Sequence, residues 1–198
     1  MNTFLIYTFL LIMIIICVLF FFVKNNSSIF CQNGIKLISK YDGRMYEVIK
    51  HNTQEQAVEL LAHIRNRIVM LSNLILKDKY LNKFDISFFQ KQINKIEIAE
   101  NTQCQSGLTS YTVDKGKKMV LCLRSNATKE LHDLNLIFYV VIHELAHILC
   151  PDYGHTQQFV DIFKHMLFVA MANKLYFKID FVSDQIEYCG MIIHDNLI

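Results

Sequence analysis

Residues 133–159 read DLNLIFYVVIHELAHILCPDYGHTQQF. Leu134, Ile137, Phe138, Val141, Leu145 and Ile148 recur at three- and four-residue steps, the apolar stripe of a helix that opens near Asp133. Leu136, Tyr139, Val140 and Ile142 fill much of the remaining circumference, so this helix is expected to be buried on nearly all sides. His143 and His147 project opposite the main stripe. Two imidazoles and the Glu144 carboxylate on such a helix must find partners, because unpaired buried polar groups are costly. The chain's only proline, Pro151, should end the helix by pushing the preceding residue out of helical geometry. Gly154 reinforces the turn, and a further helix is expected over about residues 156–175, with Phe159, Phe163, Met166, Leu167 and Ala170 on one face.

Within this stretch, His143-Glu144-Leu145-Ala146-His147 has the form H-E-x-x-H. Histidines at i and i+4 stand side by side, one helical turn apart. Zinc accepts neutral imidazole nitrogen at about 2.0–2.1 Å, and a catalytic zinc site uses three protein ligands plus a water. Glu144 is rotated off the ligand pair. The expected chemistry is therefore peptide-bond hydrolysis through a metal-bound water that Glu144 activates as a base. His155, on the segment returning past Pro151 and Gly154, is the leading third ligand, with Asp152, Asp161 and His165 as weaker candidates. Phe159 lies one helical turn after His155 and is placed to pack beneath its ring. The competing interpretation, a buried helix with two incidentally satisfied histidines, accounts for neither the helix break nor a third histidine on the returning segment. Cys150 is expected to be a plain buried cysteine rather than an inhibitory thiolate. Tyr153 is expected to be a packed loop residue rather than a donor to a tetrahedral intermediate.

Upstream, the turn Asp42-Gly43 precedes a strand-like stretch, residues 45–49. Ala57, Leu60, Leu61, Ile64, Ile68, Leu71 and Leu74 then mark a long helix, with Thr53 at its start and Gln56 in the capping-box position. A weaker helical stretch covers about residues 87–96. The period then changes: residues 109–113 and 118–123 flank Asp114-Lys115-Gly116-Lys117, a hairpin signal with glycine where a positive φ is needed. Downstream of the returning helix, residues 176–181 look strand-like and the remaining tail looks less regular. Helices and a hairpin in one domain make the fold class α+β.

Residues 4–23, FLIYTFLLIMIIICVLFFFV, carry no charge. As a helix rising about 1.5 Å per residue, such a run spans roughly the 30 Å hydrocarbon core of a bilayer. It lacks the basic start and small-residue cleavage site of a signal peptide. The expected organisation is an uncleaved transmembrane anchor over 1–24, a linker over 25–41 and a catalytic domain over 42–198. Lys24, Lys36, Lys40, Arg44 and Lys50 follow the apolar run, so the positive-inside rule places a single-pass protein with its domain in the cytosol. Of the 20 Lys and Arg residues only Lys24 lies in the first 24 positions, leaving 19 against 18 acidic residues, so no concentrated basic field points to nucleic acid. The six cysteines contain no C-x-x-C pair and are expected to be reduced and mostly buried.

The segment HELAHILCPDYGHTQQF, residues 143–159, resembles the active-site signature of the SprT-like and WLM-type zinc metallopeptidases: H-E-x-x-H, a third histidine, and an aromatic four residues later. DGRMYEV (residues 42–48) and SYTVDKGKKMVLCLR (residues 110–124) also look like WLM-type domains, including relatives encoded by large DNA viruses. The resemblance covers about residues 42–191. It implies a zincin-like fold, a small antiparallel sheet with the active-site helix. It also implies His143, His147 and His155 as zinc ligands, Glu144 as base, and proteolysis of a protein or peptide substrate. In such folds the strand before the helix lines the cleft, so residues 119–123 are expected to pair with an extended substrate backbone. The function expected is thus a membrane-anchored zinc metalloendopeptidase. The alternative is a non-catalytic membrane or virion component with a structural zinc site, which would call for a fourth protein ligand.

Overall fold

In the computed structural model the described residues are Met13, 34–102 and 109–194. All but Met13 fall in one compact unit, Gln32–Ile198. Helix α1 (Gln54–Ile75) buries Ala57, Leu61, Ile64, Ile68 and Leu71, the face marked by its period. Its capping box does not form. The Thr53 hydroxyl makes no cap bond and instead meets the Arg124 guanidinium and the His51 ring. Helix α2 (Ile86–Lys95) starts on the Asp85 carboxylate, which accepts the Phe88 N–H. Helix α3 (Leu134–Leu149) starts on Asp133, which accepts the Asn135 N–H, and ends where Cys150 turns extended before Pro151. Helix α4 (Gln157–Ala172) is capped by the Thr156 hydroxyl, which accepts the Phe159 N–H.

The strands β1 (Gly34–Ile38), β2 (Met45–Ile49), β3 (Glu97–Glu100), β4 (Tyr111–Val113) and β5 (Lys118–Leu121) form one sheet in the order β1-β2-β3-β5-β4. The outer pairs β1/β2 and β4/β5 are antiparallel, whereas β2/β3 and β3/β5 are parallel. The sheet is therefore mixed, not antiparallel as expected. Helices α1 and α2 carry the chain between β2 and β3, and such a crossover is what a parallel neighbour requires. β3 itself was not foreseen: Glu-Ile-Ala-Glu is short and half acidic, although its last three residues are buried. β5 lies between β3 and β4, so both its edges are already paired, and β4 is the last strand on that side. Residues 119–121 are not free to pair with a substrate.

β1 lies inside residues 25–41, which were expected to be a linker. It is fastened to the body because the Glu59 carboxylate on α1 accepts hydrogen bonds from the Ser39 hydroxyl and from the Lys40 and Tyr41 N–H groups. Residues 176–181 do not form a strand. The Asn135 side chain takes both backbone polar groups of Phe177, at 2.7 and 2.8 Å, while Tyr176 and Phe181 pack around Tyr139. Strand pairing occurs later, between β6 (Ile186–Tyr188) and β7 (Met191–Ile193). Cys122 and Cys189 form a disulfide, which corrects the expectation of reduced thiols for this pair, while Cys150 is free and buried. The single-pass membrane assignment is also corrected. No helix among the described residues is long and apolar enough to cross a membrane. Apart from Met13, residues 4–23 lie outside those described. The cytosolic placement derived from that span falls with it.

Glu100, at the end of β3, meets Arg124 at 2.8 Å with side-chain exposures of 1% and 6%, and it accepts the Ile49 N–H from the end of β2. Deleting one partner leaves the other charge uncompensated in the core. Glu100→Ala is expected to lower unfolding free energy by about 3–5 kcal/mol in urea titrations. A loss below about 1 kcal/mol would show instead that the pair behaves as a solvated one.

Candidate active site

Helix α3 buries Ile137, Val141, Leu145 and Ile148, which leaves His143 and His147 half-buried on its other side. Past Pro151 the chain reverses through Gly154 at φ +77, and His155 comes back against them. The three Nε2 atoms form a nearly equilateral triangle: His143 to His147 3.2 Å, His147 to His155 3.2 Å, His155 to His143 3.1 Å. These rings cannot satisfy one another, because a neutral imidazole has one N–H and a proton placed on one nitrogen serves at most one neighbour. A shared cation resolves the conflict. Donors around a tetrahedral centre with bonds of about 2.0–2.1 Å stand about 3.3 Å apart, close to the spacing seen. The donor set therefore fits a zinc ion, and these three residues form the cluster among the described residues that could hold a metal.

The electrostatics agree with that fit. Burial first, and then the neighbouring imidazoles, hold the His143 pKa down at about 3; burial, His155 and Lys115 hold His147 at about 4. Both rings are neutral near pH 7, the form that has a lone pair to give. Phe159 backs all three. It stacks on His147 with centroids 4.1 Å apart and 24° between planes, and its ring lies 4.9 Å from both His143 and His155. Its support is thus broader than the packing under His155 that its sequence position suggested.

Glu144 is 7% exposed. Its Oε2 accepts the Thr112 hydroxyl at 2.9 Å, and the Thr112 backbone also hydrogen-bonds the carboxylate. Burial drives the Glu144 pKa up to about 7 against both of these bonds. Thr112 is in the middle of β4, and no local pattern in the sequence marks it as a partner of a glutamate 32 residues away. Lys115 was missed too. Asp114 and Lys115 both turn left-handed, at φ 48° and 50°, which sends the Lys115 ammonium over the end of α3. There it donates to the carbonyls of His147 at 3.2 Å and Cys150 at 2.9 Å, satisfying groups the helix end leaves open. Gly116, at φ +104, presses on the same helix: a Cβ there would stand 3.0 Å from the Ile148 side chain.

The weaker ligand candidates are engaged elsewhere. Asp152 accepts the Thr156 hydroxyl, Asp161 accepts the Gln157 amide, and His165 faces the Asp78 carboxylate at 3.0 and 3.1 Å. Cys150 is buried, as expected. Tyr153 is not the packed residue expected: it is 87% exposed, with the Lys115 ammonium 4.9 Å from its ring centre.

No family model matches the chain. The uncharacterized protein R325 of Acanthamoeba polyphaga mimivirus is 37% identical over 165 residues, which cover 81% of this chain and 82% of that protein. Protein 136R of Invertebrate iridescent virus 6 is 27% identical over 132 residues, 66% of this chain and 70% of that protein. Among solved structures, Wss1 from Saccharomyces cerevisiae aligns over 65% of this chain and 90% of that chain, at 19% identity and a TM-score of 0.46. With 37% identity over about four fifths of both sequences, 81% of this one and 82% of the other, this chain belongs to the family of the mimivirus protein R325.

Proposed function

We propose that this chain is a zinc-dependent metallopeptidase in which His143, His147 and His155 hold the ion and Glu144 moves the proton. The observation that carries this reading is the triangle of three imidazole nitrogens, 3.1–3.2 Å on a side, two of them on the helix that also presents a buried carboxylate. Zinc held there supplies a Lewis acid, which polarises a carbonyl and makes water more acidic. Glu144, with a pKa raised to about 7, is poised to take a proton from the attacking water and return it to the departing amide nitrogen. Thr112 keeps the carboxylate in one orientation while this happens. A protein or peptide substrate suits the outer side of β4, an edge strand of the kind that pairs with an extended chain, beside the Thr112 backbone group that Glu144 already engages. A structural zinc site closes on four protein ligands, whereas this cluster has three among the described residues.

Glu144→Gln is expected to keep one zinc per chain while peptide turnover falls by about 10²–10⁴-fold, checked by metal analysis beside a cleavage assay. Undiminished turnover in that variant would reject the mechanism. His155→Ala is expected to lose both the metal and the activity. In the cobalt-substituted wild type the absorption spectrum is expected to lack a thiolate charge-transfer band; its presence would favour a closed structural site that includes a cysteine.

A further inference from the structure

The hairpin of β4 and β5 is clamped at both ends. At the turn, Lys115 binds the end of α3. At the open end the C-terminal hairpin does the holding, through a closed circuit of hydrogen bonds. The Cys122 N–H donates to the Ser110 hydroxyl at 3.0 Å, and the Tyr188 hydroxyl donates to the Cys122 carbonyl at 2.8 Å. The two hydroxyls stand 2.7 Å apart, so with the Tyr188 proton on the carbonyl, Ser110 donates to Tyr188 and every proton is placed. Asn101 adds a bond to the Thr109 carbonyl at 2.9 Å. Ser110 lies two residues before Thr112, the partner of Glu144. Tyr188 is buried to 2% exposure, and its ring lies 5.1 Å from that of His132.

Two isolated strands are marginal in water, so this hairpin depends on what it docks against. Beyond the Tyr188 contacts, Ile186 and Ile193 pack against the core, the Glu187 carboxylate accepts the Asn126 N–H at 3.3 Å and a hydrogen bond from the Ser125 side chain, and the cross-link to the rest of the fold is the Cys122–Cys189 disulfide. That bond joins the residue after β5 to the residue after Tyr188, so it fixes both sides of the hydroxyl circuit at once.

We infer that the C-terminal hairpin is a positioning element for the active-site edge strand, with Tyr188 as its positioning residue and the Cys122–Cys189 disulfide as its lock, so that thiol–disulfide exchange sets how firmly Thr112 holds Glu144. A dithiol reductant delivers two electrons and two protons to the pair, yields the Cys122 and Cys189 thiols, and leaves as its own cyclic disulfide. The catalytic half of this inference rests on the peptidase reading; the structural half does not.

The test compares amide hydrogen exchange of the full chain in three states: oxidised, dithiol-reduced, and Tyr188→Phe with the disulfide intact. Zinc content, kcat and KM are measured in parallel. Peptides covering residues 109–113 are expected to exchange at least about tenfold faster after reduction and several-fold faster in Tyr188→Phe, while those covering α3 keep their protection. In reduced protein, Tyr188→Phe should add nothing more. Turnover is expected to fall about tenfold through kcat, with KM and zinc content unchanged. Unaltered exchange over 109–113 on reduction would overturn the inference. So would an equal loss over α3, which would make the disulfide a general staple of the fold. A wild type that binds zinc but cuts no peptide would sink the peptidase reading alone, and the exchange pattern would still decide the clamp.

Discussion

Three imidazole nitrogens do not gather within 3.2 Å of one another unless the fold forces them or a cation rewards them. Much of the architecture serves that crowding. α3 is sunk so deep that its orientation about its own axis is fixed by Ile137, Val141 and Leu145, each fully buried. Its end is set by Pro151, the reversal is completed at Gly154, and α4 begins at once with a capped first turn that brings the Phe159 ring under all three imidazoles. The imidazole geometry here is a consequence of core packing, because close-packed interiors leave side chains little freedom.

The parts of this arrangement that depend on near neighbours in the chain were legible. The 3.6-residue period located α1, α3 and α4, the last two starting near residues 133 and 156, and the proline ended α3. The hairpin was visible through Gly116 and the alternation on either side of it. The three histidines and Glu144 were named from their spacing, and the structure brings the three imidazoles together from α3 and the segment that returns to it, while Glu144 leaves the same helix toward Thr112.

What escaped was non-local. β3 is too short and acidic to announce itself, and only its place between β2 and β5 makes it a strand. Residues 176–181 have the composition of a strand but lie where the Asn135 amide completes the Phe177 backbone, and pairing moves to a tail that looked irregular. Cys122 and Cys189 stand 67 residues apart in the chain, and no spacing rule could couple them. Thr112 and Lys115 act through positions that the sheet order and two left-handed residues create. Propensity is a local quantity, and each of these is a tertiary outcome.

Gly116 bears on how freely the sequence can drift. Its φ of +104 already disfavours any side chain, and the space a methyl group would need is taken by Ile148 and Gln92, each 3.0 Å away. Ile148 directly follows His147, so a larger residue at the turn would push against the very helical step that carries this imidazole. That turn therefore tolerates little beyond glycine, since a side chain there would disturb α3 through Ile148.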